Sequence, residues 1–564
     1  MTANDTTTEQ PMRPTGLMAR HGAGTQRDDA TRYLCAAAHL DPAFADQAIR
    51  EFLTEPLRAI PPTPAVDAVT VLREAVAARR RRLLRDWLLL LILILFAVSG
   101  IAVMAGWLLF GIVVSMAGAA RSEARSHNVK LVWATGLIGV AAALLLVAPG
   151  ILGALLGTTL PGLSLSGLMP GPFSVLLGLL ALTVLVLDRY ALSYLLTRSF
   201  RRGTFVSMPT VDTWPGECWV RTIGQTGRRA RELARVARAR HGGNLIAYRG
   251  FEPFAGAGTR GEAVAMPIPL EPVQPDEDGD DAPPSEPETF SLTALYEHVA
   301  AALLELRDSP SLAPSGRLAG LTEYGLVVAP VAEVLVNFAD PASRIVLPGL
   351  DQPPAQNIPP DTLADLVEHP LEWLRYFRCF QLETWNRDVT VSMFLHFGAS
   401  ERMLYLEWIP FVLYPIAARY RVADHLPVEP LGPLRDALVD WLRLPSALPG
   451  RFISMVRRIR PIKARPGLVL PEKYGTSYGL RELAANTGPN NYFQEADVTR
   501  YLQLLTGRMI RAIGQFLEGR GIEVTEFMAQ AQTVGDQYTF NGPVEATSIG
   551  SNNVVNGRQR KQKD

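Results

Sequence analysis

The sequence predicts an α-helical membrane domain of about four transmembrane helices, followed by a cytoplasmic α+β region and flanked by flexible termini. Three observations carry this expectation. No charged residue occurs from Trp87 to Ala120, two further apolar stretches follow at Leu131 to Gly157 and Phe173 to Leu187, and strand-like runs alternate with helical periodicity beyond residue 290. A chain of 564 residues also exceeds what one core usually holds, so several units are expected.

Residues 1–28 are polar and read as disordered, without the apolar core of a signal peptide, so insertion is expected to use internal segments. Residues 29–86 read as two cytoplasmic helices, divided by Pro56 and by Pro61, Pro62 and Pro64. The membrane domain is assigned to 87–196, with spans near 87–103, 105–120, 131–157 and 172–190. The first run would be about 50 Å long as one helix, against a hydrocarbon core of about 30 Å, so it reads as a tilted helix or as a tight pair. Loop charge favours the pair. Arg79, Arg80, Arg81, Arg82 and Arg85 precede it, Arg121, Arg125 and Lys130 follow it, and Arg198, Arg201 and Arg202 follow the last stretch, whereas 158–172 is uncharged. Two crossings put every cationic segment on the cytoplasmic side, together with both termini. Asp188 and Arg189 then fall near the cytoplasmic interface, beside Tyr190 and Tyr194.

Residues 203–270 are expected to form a basic helix and a β-hairpin. On the helix, Thr222 to His241, Arg228, Arg229, Arg231, Arg235 and Arg238 surround an alanine-rich side, a pattern suited to anionic lipid headgroups at about 1 kcal/mol per cation. NLIAYRG and AVAMPIPL supply the hairpin strands. Residues 271–290 are an acidic, proline-rich linker, 291–532 a cytoplasmic α+β module, and 533–564 a Gly/Asn-rich tail.

Motifs for catalysis fail on context. Gly256, Gly258 and Gly261 match GxGxxG, but Pro267 and Pro269 follow where a phosphate-binding helix must begin. Gly475, Ser477 and Gly479 match GxSxG, but the last histidine of the chain, His425, precedes the serine. The three cysteines include no CxxC and the eight histidines no HExxH, so no metal or other cofactor is expected. The formal net charge of zero gives no footprint for nucleic acid.

Asn244 to Gly258, Arg375 to Phe397, Met403 to Ile416 and the glycine-rich tail together resemble a family of bacterial multi-pass membrane proteins of unknown function. That resemblance implies membrane location and no chemistry. Within the tail, Ile549, Gly550, Asn553 and Val555 match the core of the RIP homotypic interaction motif and its bacterial amyloid-signalling counterparts, while Thr547 and Ser548 depart from it. The resemblance implies stacking of identical chains, to which alternating apolar and asparagine residues are suited.

The resulting functional expectation is a membrane-anchored scaffold or sensor rather than an enzyme. Its expected partners are anionic lipid headgroups, an unidentified protein and, through the tail, further copies of itself. A membrane-disrupting effector triggered by tail self-association, and a transporter-like protein, are the rivals.

Overall fold

The structure, a computed structural model, describes residues 29–63, 66–99, 104–112, 172–201, 205, 228–239, 243–273, 288–308, 318–385, 387–424, 431–459 and 469–537. Its centre is a curled, seven-stranded mixed sheet: β1 (Leu245–Tyr248), β2 (Thr259–Arg260), β3 (Val264–Pro269), β4 (Leu321–Pro330), β5 (Arg375–Thr384), β6 (Val389–Ala399) and β7 (Met403–Leu413). The order runs β1-β4-β5-β6-β7, and β2 and β3 both pair along the outer edge of β7. β1 lies parallel to β4, and the other pairings are antiparallel.

The sheet strands alternate as a two-faced sheet requires. Val391, Met393, Leu395 and Phe397 of β6 enter the main core, while Phe394 joins Phe377, Cys379, Ile409 and Phe411 on the other face. Two long helices cover the main face. Leu295, Val299 and Leu303 of α7 (Leu292–Asp308) and Leu505, Met509 and Ile513 of α13 (Tyr492–Glu518) meet the sheet there. Asn491 caps α13, its side chain accepting from Gln494 N–H at 3.0 Å. Three short helices, α8 (Val331–Val336), α9 (Pro341–Val346) and α10 (Pro360–Glu368), link β4 to β5, and α14 (Thr525–Gln537) packs back on α13.

A helical layer precedes the sheet: α1 (Asp29–Leu40), α2 (Pro42–Ile49), the π-turn Arg50–Thr54, and the first half of α3 (Ala68–Ser99). Asp41 caps α2 ahead of Pro42. The basic helix α6 (Arg228–Ala239) inserts Leu233 and Val236 into this layer. The second half of α3, the helix 104–112 (α4) and the first part of α5 (Pro172–Ser199) form an apolar arm, beside which lie α11 (Gly432–Leu442) and α12 (Leu448–Ile459).

The expected four-span helical membrane domain is corrected by this arrangement. Among the described residues one helix, Pro172–Ser199, is long and apolar enough to cross a membrane. The run 87–120 does not begin at a loop. Its first part is the end of α3, which starts at Ala68 and carries Arg79 to Arg85 in mid-helix; of the rest, residues 104–112 are helical (α4), and 113–120 lie outside the described residues. Counting uncharged residues could not reveal that the arginines flanking the run belong to the same helix. The span near 131–157 lies outside the described residues.

The expected hairpin of 244–250 with 263–270 is also corrected. β1 and β3 occupy opposite ends of the sheet, so the glycine-containing segment between them crosses its minor face instead of turning. Sequence proximity favoured a hairpin because neither strand shows its non-local partner.

Candidate functional site

Hydropathy alone would bury the arm, yet most of its large side chains face outward. On α3, Leu89, Ile92, Leu93 and Phe96 pack inward, while Trp87, Leu88, Leu91, Ile94, Leu95 and Val98 are exposed. On α5, Leu177, Ala181 and Leu185 pack inward, and Phe173, Val175, Leu176, Leu179, Leu180 and Leu187 are exposed, Leu176 at 60%. Both faces are apolar, which in a helix means a buried or lipid environment.

The two helices are antiparallel and pinned at both ends. Ser99 Oγ lies 2.9 Å from Ser174 Oγ, and Arg85 donates to Asp188 at 2.9 Å. About fourteen residues separate the pins on each helix, so the uncharged interval measures about 21 Å. Among the described residues, charge gathers at one end. Asp188 also faces Arg81 at 3.5 Å, Arg85 and Arg451 converge on Asp86 at 2.9 and 3.3 Å, and Arg189 pairs with Asp440. Asp86, Asp188 and Arg81 are almost wholly buried, so each charge depends on its partner. The sequence placed Asp188 and Arg189 at an interface without indicating these partners, because Arg85 lies 103 residues from Asp188 and Asp440 lies 251 residues from Arg189.

The two rejected catalytic motifs meet. A Cβ added to Gly479 would lie 2.4 Å from Gly256 Cα, and the Glu482 carboxylate accepts from both backbone N–H groups at 2.9 Å. Burial raises the Glu482 carboxyl above the usual range, opposed by those backbone donors. Thr476 extends the sheet beside β1, its N–H donating to Ala247 O at 3.0 Å, and Ser477 N–H donates to Glu51 at 3.0 Å. Glu51 is also held by Arg58 and Arg249, which ties the helical layer to the sheet. Ser477 thus follows the isolated bridge at Thr476, its N–H taken by Glu51 and its hydroxyl donating to Arg249 O at 3.4 Å, and is not an exposed elbow. β3 follows the glycine segment where a phosphate-binding helix would be needed.

The same segment drives Phe254 into the minor face, stacked on Phe394 at 3.7 Å between centroids and edge-on to Phe377 and Phe411. Beside it opens a cleft of about 230 Å³, with Ile409, Phe377 and Phe411 on its floor and Arg260, Arg375, Glu252 and Glu407 on its walls. Its residues come from four separated stretches, and no motif marked them. Cys379, on the same face, is fully buried, its thiol pushed up to about 12 by burial.

Of the five arginines expected on a membrane surface, Arg231 and Arg238 are exposed, and Arg228 and Arg229 lie on α6 with their side chains outside the described residues. Arg235 turns inward. Its guanidinium donates to Phe52 O at 2.9 Å, to Glu55 O at 3.3 Å and to Arg58 O, and it pairs with Glu232, closing the end of the π-turn. Helical periodicity placed it on the polar side, but could not show that carbonyls of a packed turn lie there. The tail residues Ile549, Gly550, Asn553 and Val555 lie outside the described residues, and no group of three metal-ligating side chains occurs among the described ones.

The chain belongs to the AbeC-like domain family, whose model matches residues 263–555. The match begins at β3 and takes in β3 to β7, α7 to α14 and part of the tail, leaving out the helical layer, α3 to α6, β1 and β2. No curated protein and no solved structure matches the chain.

Proposed function

We propose that this protein is a membrane-anchored scaffold, in which the apolar arm of α3, α4 and α5 enters a lipid bilayer and the sheet module stands outside it as a rigid platform. One observation carries the reading: a belt of exposed Leu, Ile, Val and Phe side chains about 21 Å long, closed at one end by buried ion pairs and aromatic residues. In water such a belt would aggregate. In a bilayer it needs no further cover, and the Arg81, Arg85, Asp188 and Asp86 cluster marks the level of the headgroups, where charges are tolerated. Tyr190 and Tyr194, just beyond that cluster on α5, suit the same depth.

The platform part of the reading is supported by ion pairs that join distant segments. Arg32 binds Asp424 at 2.6 Å and Phe200 O at 2.8 Å, and Glu51 gathers Arg58, Arg249 and Ser477. The helical layer, the end of α5 and the sheet are thereby tied together, and the cleft of about 230 Å³ on the minor face is an aromatic-floored concavity on the platform side.

Flotation of the full chain with lipid vesicles tests this reading. The wild type should rise with the vesicles and stay with them in alkaline carbonate. Replacing Leu176, Leu179 and Leu180 together by Asp should shift it to the soluble fraction. A wild-type chain that remains soluble and monomeric without lipid or detergent would refute the reading.

A further inference from the structure

The helical hairpin of α11 and α12 belongs to the family-matched region, and its sequence reads as an ordinary surface element of an α+β module. Leu448–Ile459 is strongly amphipathic, and Gly432–Leu442 carries Arg435, Asp436 and Asp440 among apolar residues. Its packing is unusual. Ala437, Leu444 and Met455 are buried, while Leu438, Val439, Phe452 and Ile453 stay exposed, the last two at 52% and 50%.

The buried side of the hairpin meets the arm rather than the sheet. The Trp441 indole N–H donates to Gly178 O at 2.9 Å. Gly178 lies about ten residues from Asp188, or about 15 Å from the charged end of the arm. The Trp107 ring sits 5.1 Å from that of Trp441, and a Cβ added at Gly111 would lie 2.8 Å from Leu442 O, so α4 also abuts the tip. On the return path Leu444 lies beside Leu90 and Leu93, and Arg451 reaches Asp86 at the charged level. The tip is therefore level with the middle of the uncharged interval and the base with the ion pairs.

We infer that α11 and α12 form a re-entrant element whose outer face, Leu438, Val439, Phe452 and Ile453, meets lipid acyl chains. This rests on the membrane reading of the arm. An element bonded halfway along a bilayer-embedded helix is inside the bilayer as well. Re-entrant backbone is tolerated only where its polar groups are satisfied internally, and the main-chain groups of the turn are bonded within it, while the Arg443 side chain there is half-buried with its Nε enclosed. Leu444 N–H donates to Trp441 O at 3.1 Å, Ala447 N–H to Arg443 O at 3.0 Å, Arg451 N–H to Ala447 O at 3.0 Å, and Ser446 Oγ to Arg443 O at 2.9 Å. Asp440 is neutralised by Arg189. The family domain thus carries its own wedge into the membrane, separate from the arm that precedes it in sequence.

The test uses single nitroxide labels on full-length protein in lipid vesicles, in a Cys218→Ser background, where the described cysteines Cys35 and Cys379 are buried. Labels at residues 439 and 453, with 438 and 452 as a second pair on the same faces, are compared with one at 180 on the arm and one at 361 on the exposed side of α10. The hairpin labels should collide more with oxygen than with a water-soluble nickel chelate, as at 180, and at least several-fold more so than at 361. If 180 favours oxygen while the hairpin labels behave like 361, the hairpin lies in water and this inference is wrong although the arm reading stands. If 180 itself favours the nickel chelate, both fall.

Discussion

The arm and the sheet module are built from the same apolar residue types and treat them in opposite ways. In the sheet, Trp408 and Phe380 are fully covered by α7, α13 and neighbouring strands. In the arm, Leu176 and Leu179 point outward, while charged side chains, Arg81, Asp86 and Asp188, are hidden beside the narrow apolar seam of Leu89, Phe96 and Leu185. The difference teaches that hydropathy reports how much a segment avoids water, whereas the side from which it is covered is decided by neighbours. In the sheet, protein covers both faces of the alternating strands; the arm keeps an apolar outer face, for which the proposed reading supplies lipid.

Several substitutions should break or sharpen this contrast. Trp408→Ala removes a fully buried ring and should cost about 3–5 kcal/mol, seen as a lower denaturation midpoint with vesicle flotation retained. Asp188→Ala should cost a similar or slightly smaller amount, about 3–4 kcal/mol, because it leaves Arg81 and Arg85 buried without their partner. A thermal midpoint in detergent unchanged by that substitution would mean that the charged end of the arm is hydrated.

The helical layer at the base of the arm should show a pH response, in addition to the one expected of half-buried His396 in β6. His39 Nε2–H donates to Glu74 at 3.0 Å, and burial, assisted by nearby Arg81 and Arg82, lowers the imidazole from 6.5 to about 4 despite the carboxylate. The folded protein therefore takes up that proton less readily than the unfolded chain. This contribution is full above pH 6.5 and is lost as pH falls toward 4, to a total of about 3 kcal/mol. Denaturant midpoints between pH 7 and 4 should follow that slope, and His39→Gln should flatten it. At the other extreme, Glu407→Gln should change stability by less than about 1 kcal/mol, since its pair with Arg375 at 3.7 Å is exposed.

Much of the sheet was legible beforehand. The strand-like runs noted beyond residue 290 are β4 to β7, where alternation and β-branched or aromatic content persist over ten or more residues. Strand order was not, since β1 finds β4 and β3 finds β7 across long separations that leave no mark in local pattern. The candidate site was less legible. Asp188 stood out as a charge beside an apolar stretch, but Asp86, Asp440 and Arg451 look like ordinary helix charges until the arm assembles around them. The glycine motifs were noticed for the wrong chemistry: their small size serves the close approach of Gly256 and Gly479. Arg235 shows the converse, a cation that looked free and serves to close a turn.

The most direct test of the account asks whether exposed apolar residues on the two regions meet different solvents. A bimane fluorophore is placed in turn at residues 98 and 176 on the arm and at 405 and 493 on the sheet module, four positions whose native side chains are all apolar or aromatic and exposed. The full chain is then reconstituted in vesicles containing lipids brominated along the acyl chain. The account predicts strong quenching at 98 and 176 and none above background at 405 and 493. Equal quenching at all four sites, or none at the arm positions in protein that has floated with the vesicles, would contradict it.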